Sequence, residues 1–290
     1  MEKSSRGSGF DSSYDAVVIG AGNGGLCSAL ALAVKGHRPL LLEQHNIPGG
    51  FATSFVRGRF EFEASLHELS DVGPDHAKGG VRKFFEDEAG VYLDWVRVPE
   101  AYRLILTGHD IDVRMPFGEE EYLDAMAAAV PESREPMAEY LSFCRDCYDV
   151  IGYLGRMAAG ASPEKLAKDL ARFLEESGRP VRDFGELIVR AGNFAKTLPR
   201  SAQEVIDSFD IPEKAVKILS PYWCYLGIPM SRLSHIHWAA MLISYLEKGA
   251  YLPRCRSQEM ANALDARIRE LGGDVQYNTR VEKILVENGK

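Results

Sequence analysis

Ala16-Val17-Val18-Ile19, preceded by Tyr14-Asp15 and stopped by a glycine, is a nearly unbroken apolar run. A run of this length predicts a buried strand of a parallel sheet, with helices covering both faces. The Ala- and Leu-rich stretch Gly24 to Lys35 predicts a helix, with Gly36 just past its end where a helix terminus favours glycine. Pro39-Leu40-Leu41-Leu42 predicts a second buried strand, ended by Glu43. Strand, tight turn, helix and strand in such a short span make a βαβ unit, whose crossover is right-handed.

The pattern then changes. Tyr102 to Phe117 alternates as a hairpin, with Thr107-Gly108-His109-Asp110 as its turn. From Met137 the apolar positions Tyr140, Leu141, Cys144, Cys147, Tyr148, Ile151 and Leu154 recur at helical spacing. Ser162-Pro163-Glu164 reads as a helix start with Gly178 as a stop, and Ser201-Ala202-Gln203-Glu204 matches a capping box. Alternating α/β character returns with a helix over Ser257 to Leu271, closed by Gly272-Gly273. Strands are predicted at Asp274 to Tyr277 and Thr279 to Val286. Asn288-Gly289 is a two-residue hairpin signal, so a partner strand, and with it the rest of a domain, is expected beyond Lys290.

Composition narrows the function classes. A formal net charge of -8 over 290 residues, with no Lys/Arg run, argues against nucleic acid as a partner. Five cysteines scattered through the chain do not read as a disulfide framework, and a reducing, cytoplasmic setting is expected. The polar N-terminal stretch has no apolar signal-peptide core. The longest apolar stretch, Trp238 to Leu246, is interrupted by Ser244 and is well short of the roughly 18 residues of a membrane span. Peripheral membrane association stays open.

Gly20-Ala21-Gly22-Asn23-Gly24-Gly25 fits Gly-x-Gly-x-x-Gly, and it follows a predicted strand and opens a predicted helix, the context its mechanism requires. Gly20 permits the turn, Gly22 lets backbone approach a pyrophosphate, and Gly25 lets helix and strand pack closely. The helix N-terminus offers free N–H groups to the phosphates. Glu43, 18 residues past Gly25, stands where a carboxylate accepts from a ribose and opposes a 2′-phosphate, which disfavours NADP. Pro48-Gly49-Gly50-Phe51-Ala52-Thr53 adds a second glycine pair and a hydroxyl that reach the diphosphate from its other side, favouring FAD over NAD.

The segments YDAVVIGAGNGGLCSALALAVKGHRPLLLEQHNIPGGFATSF and RGRFEFEASLHEL resemble the N-terminus of the phytoene desaturase, carotenoid isomerase and retinol saturase group of flavoproteins. The resemblance resumes at Tyr251-Leu252-Pro253 and at Gly272-Gly273-Asp274-Val275, and runs on through Asn278 to Ile284. It implies that Gly20, Gly22, Gly25, Glu43, Gly49, Gly50 and Thr53 contact FAD, with the backbone of Val281 at the adenine. Two departures stand out. Cys255-Arg256 replaces a glycine pair expected near the cofactor, and the group's C-terminal Gly-Asp flavin segment is absent from these residues.

Other constellations carry less. Cys144 and Cys147 form a Cys-x-x-Cys on an apolar stripe, where core packing is expected rather than redox or zinc chemistry. His235 and His237 diverge on a helix, so no metal site is expected. His67 follows the glycine pair and stands as a candidate near the flavin, with a structural role preferred. No side chain presents itself as a catalytic residue. The fold expected is α/β: a Rossmann-like FAD/NAD(P)-binding domain of the glutathione-reductase-like kind, with an inserted, mainly helical substrate domain. Its segments would be a disordered tail (1–13), the FAD-binding domain in two pieces (14–60 and 251–290) and the substrate domain (61–250). The resemblance implies redox chemistry, or isomerisation, on a lipophilic polyene, with an electron donor or acceptor that the sequence does not identify. A non-catalytic binding protein and an inactive fragment are the competing readings.

Overall fold

The computed structural model describes residues 13–158 and 184–286. Most of the expected tail, the helix start at Ser162-Pro163-Glu164 with its stop at Gly178, and the Asn288-Gly289 turn lie outside the described residues. The chain runs β1 (Ala16–Ile19), α1 (Asn23–Val34), β2 (Pro39–Leu42), β3 (Ser54–Arg57), β4 (Phe60–Glu63), β5 (Trp95–Arg97), β6 (Tyr102–Leu106) and β7 (Ile111–Met115). Helices follow: α2 (Glu119–Ala129), α3 (Arg134–Ala158), α4 (Phe184–Thr197), α5 (Ala202–Ile206), α6 (Glu213–Leu219), α7 (Trp223–Leu226) and α8 (His235–Lys248). The last described elements are β8 (Tyr251–Pro253), α9 (Arg256–Glu270) and β9 (Asp274–Gln276).

Two compact units result, Met1–Arg97 with Tyr251–Lys290, and Val98–Ala250. The first boundary therefore falls at Arg97, not at the expected 60. Hydrogen bonding explains the shift: β4 pairs with β3, and β5 pairs with β8, so residues 61–97 are tied to the first unit.

The first unit is an α/β Rossmann-like fold. Its parallel sheet has the order β1-β2-β9, with Val17 opposite Leu40 and Leu41 opposite Val275. Apolar residues of α1 and α9 form one core with the sheet, in which Leu26, Leu30, Leu41, Leu264 and Ile268 are fully buried. Each such side chain contributes roughly 1.5–3 kcal/mol of hydrophobic stabilisation. Two expectations change here. The run at β1 is covered on one face only: Val18 packs against the core formed with the helices, whereas Val17 and Ile19, on the opposite face, are 56% and 51% exposed. Residues 279–286 form no ladder in the described structure, and Ile284, Leu285 and Val286 stand exposed. Their β-propensity alone cannot make a strand without a partner's N–H and C=O groups. At the start of that segment the N–H groups of Asn278 and Thr279 donate instead to His45 O and Glu43 O, at 2.9 and 2.8 Å.

The second unit begins with the β6–β7 hairpin, closed by the expected four-residue turn between Leu106 and Ile111. Its core is helical. Met137, Tyr140, Leu141, Cys144 and Cys147 of α3 are fully buried and share a cluster with Trp238, Leu242 and Ile243 of α8. Ser201 caps α5 in a complete capping box with Glu204. Among the described residues, no helix is long and apolar enough to cross a membrane.

Candidate functional site

The turn between β1 and α1 is built by backbone. A Cβ at Gly25 would lie 1.8 Å from Gly20 O, so only glycine lets α1 start this close to the strand. Gly22 is the N-cap of α1, and no side chain caps the helix. The first turn also contains no acidic residue, so its N–H groups keep their partial positive charge for a ligand. A Cβ at Gly22 would meet nothing within 4 Å. Space for an anion exists at this point.

The second glycine pair comes to the first. Gly49 N–H donates to Ala21 O at 2.7 Å, and Gly22 and Gly49 form an isolated parallel bridge. A Cβ at Gly50 would stand 3.1 Å from Gly22 Cα, so the two loops touch backbone to backbone. Gly49 has a φ of 118°, a conformation that costs glycine little. Thr53 supports this loop from below: its hydroxyl donates to Gly50 O at 3.0 Å.

Glu43 leaves β2 buried, 8% exposed. Its carboxylate is held on both sides, accepting from Ala21 N–H (Oε2, 2.6 Å) and His45 N–H (Oε1, 2.7 Å). Each oxygen retains a lone pair for a further donor such as a ribose hydroxyl. Glu43 thus ties the glycine turn to the end of β2. With Gly20 and Val281 it lines a cavity of about 330 Å³, within the range of small-ligand sites. Ile19, Leu42, Gln44, Thr279 and Arg280 complete the wall. Sequence reasoning passed over the last three, and the only signal for them was their adjacency to Glu43 and Val281.

All eight residues singled out from the sequence therefore fall in one region of one unit, around the N-terminus of α1. The group implied by the resemblance fits them at its ADP half: an open glycine turn, a poised carboxylate and a cavity between them.

The remaining candidates separate from this region. His67 lines a different cavity of the same unit, about 420 Å³, together with Arg256. Its Nδ1 lies 3.2 Å from Ser65 O. The Cys255-Arg256 departure has a geometric signature, since Arg256 adopts a φ of 69° at the first position of α9. Cys144 and Cys147 are core residues, and burial raises both thiols, Cys147 to about 11. They are therefore protonated and unreactive at neutral pH. His235 is fully buried beside Tyr140 Oη (3.4 Å) and Cys144 Sγ (3.7 Å). Burial, aided by Arg200, lowers its pKa to about 4. His237 is exposed, and the described residues hold no cluster of three metal-ligating side chains.

This geometry defines the class: an α/β protein with a Rossmann-like FAD/NAD(P)-binding fold. Residues 18–86 match the family model of the NAD(P)-binding Rossmann-like domain. More specifically, the chain is homologous over most of its length to all-trans-retinol 13,14-reductases and prolycopene isomerases. It is 28% identical to the rat all-trans-retinol 13,14-reductase over 279 residues, covering 94% of this chain and 42% of the relative. Against the chloroplastic prolycopene isomerase of Daucus carota the identity is 25%, covering 98% and 44%. A Danio rerio protein named an inactive all-trans-retinol 13,14-reductase is also 25% identical, covering 94% and 42%. The chain thus spans less than half the length of these relatives. Solved structures share the fold: an oxidoreductase from Methanosarcina mazei has a TM-score of 0.58 at 20% identity, covering 95% of this chain and 54% of that one. Cyclohexylamine oxidase from Brevibacterium oxydans has a TM-score of 0.52 at 15% identity, covering 90% and 51%.

Proposed function

We propose that this chain carries the dinucleotide site of an FAD-dependent oxidoreductase acting on the C=C or CH–CH bonds of a lipophilic, polyene-type substrate. The observation that carries the reading is the convergence of Gly20, Gly22, Gly25, Glu43, Gly49, Gly50, Thr53 and Val281 on the N-terminus of α1. FAD, when bound, supplies the flavin that accepts or donates hydride. The protein's own part begins with the free N–H groups at the start of α1, which hold the pyrophosphate. Gly49 and Gly50 bring backbone to its other side, and Thr53 stiffens that loop. Glu43 accepts from the ribose hydroxyls, and Val281 closes the adenine side of the cavity. A carboxylate at this point repels a 2′-phosphate, which supports FAD over NADP.

The similarity to retinol reductases and prolycopene isomerases supports a lipophilic polyene as the substrate class, with a saturating or desaturating reaction preferred. Prolycopene isomerase among the relatives supports a second reading, isomerisation of a double bond with no net redox change. Reading the chain as a non-catalytic binding protein is disfavoured by the intact glycine turn and Glu43.

The test is spectroscopic. FAD titrated into the purified chain at equilibrium should bind through its ADP half, read as a change in flavin fluorescence, while little flavin should survive passage through a desalting column. Glu43→Ala should weaken FAD binding by about 1.5–3 kcal/mol, the scale of a hydrogen bond to a charged group. No change in flavin fluorescence on FAD titration, or an unchanged Kd in Glu43→Ala, would overturn the assignment. Under anaerobic conditions, all-trans-retinol with a chemical reductant separates saturation from isomerisation by the mass of the product.

A further inference from the structure

The cavity of about 420 Å³ beside the start of α9 is amphipathic. Leu66, Val96, Leu252 and Pro253 form an apolar wall, and Glu63, His67, Arg254 and Arg256 bring polar groups to it. All belong to the first unit. Two of the charges are already committed. Glu63 accepts from the backbone N–H of Ser257 at 3.1 Å and from its buried hydroxyl. Arg254 is engaged by the carboxylate of Asp94.

Arg256 differs. Arg254 meets both Asp94 carboxylate oxygens through Nε and Nη2, and its backbone N–H also donates to Asp94 O at 2.8 Å, whereas the Arg256 pair is a single contact, Nε to Glu61 Oε2 at 3.2 Å. That pair is exposed, so solvent screens it and little is lost on opening it. The backbone there is left-handed, with φ at 69°. A long side chain at such a position is disfavoured relative to glycine. The chain nevertheless places a guanidinium there, at the mouth of an apolar pocket.

We infer that this cavity binds an apolar molecule bearing a carboxylate, with Arg256 taking the carboxylate and Leu66, Val96, Leu252 and Pro253 the chain. A guanidinium suits a carboxylate because its planar fork donates two parallel hydrogen bonds. Gln258, one turn into α9, donates to Pro48 O at 3.2 Å, which joins this cavity's rim to the Gly49–Gly50 loop. The role of that ligand as substrate rests on the FAD reading above, and there it favours a lipophilic acid over the corresponding alcohol. Binding itself does not depend on FAD.

Calorimetric titration of the full 290-residue chain with dodecanoate and with dodecanol tests the inference. Dodecanoate should bind roughly tenfold or more tightly than dodecanol, as one charge-assisted contact allows. In Arg256→Gly the two should bind alike, dodecanol should keep its parent affinity, and the melting temperature should hold or rise, because glycine accepts this φ. Arg254→Gln should keep the preference. Equal affinities in the parent overturn the inference, and so does a preference that survives Arg256→Gly. If FAD fails to load while the dodecanoate preference is present, the FAD reading falls and the carboxylate site stands. If FAD loads and no preference is seen, only the carboxylate site falls.

Discussion

At the scale of single residues, two glycines three positions apart do different work. Gly25 is required by the fold, since an added Cβ would run into Gly20 O, whereas at Gly22 the same methyl meets open space. Gly22 also has a φ of -72° that any residue adopts. Gly25→Ala should therefore destabilise the chain by about 1–3 kcal/mol, the scale of an overpacked contact. Gly22→Ala should fold as the parent does and lose roughly tenfold or more in FAD affinity, because its methyl enters the space assigned to the pyrophosphate. Urea unfolding and FAD titration of both variants check the contrast, and equal stabilities would contradict it. The motif and this division of labour are both legible in the sequence, but the atom that Gly25 meets is not. It depends on where a carbonyl from the preceding turn points.

At the scale of elements, α3 and α8 show how far periodicity reaches. The stripe Met137, Tyr140, Leu141, Cys144 and Cys147 reads as one buried face and is one, but its expected continuation is not: Tyr148 and Ile151 are half-buried and Leu154 is 43% exposed. What lies opposite is not readable, because the partner is nearly 100 residues away: His235 of α8 packs its ring against Tyr140 and Phe143. Its Nδ1 has no hydrogen-bond partner among the described residues, consistent with an imidazole kept neutral. With a folded pKa near 4 against about 6.5 unfolded, the unfolded state binds the extra proton first. Above pH 6.5 His235 is neutral in both states and costs nothing through titration. As pH falls from 6.5 towards 4, stability should drop by about 3 kcal/mol from this group alone. Denaturant midpoints measured across that window should fall less steeply in His235→Gln than in the parent. Parallel slopes would show that His235 takes up its proton as readily in the native state as in the unfolded one.

At the scale of the whole molecule, the described residues form two cores, one in each unit, and the residues assigned to FAD all lie in the first unit. FAD should therefore slow amide hydrogen exchange around 18–53 and 278–282 while leaving 98–158 unchanged. Uniform protection across both units would contradict that assignment. The sequence by itself determined the βαβ unit, the hairpin at Tyr102 to Phe117, the buried stripe of α3 and the glycine turn with Glu43. These rest on local rules: strand and helix periods, turn residues, and a motif whose parts are close in the chain. Tertiary structure alone decided the rest. It brought Val281 to Glu43, folded the Gly49–Gly50 loop onto Gly22, tied residues 61–97 to the first unit, and gave residues 279–286 no ladder among the described residues. Each of these depends on which distant backbone groups meet, and hydrogen-bond partners far apart in sequence leave no period to read.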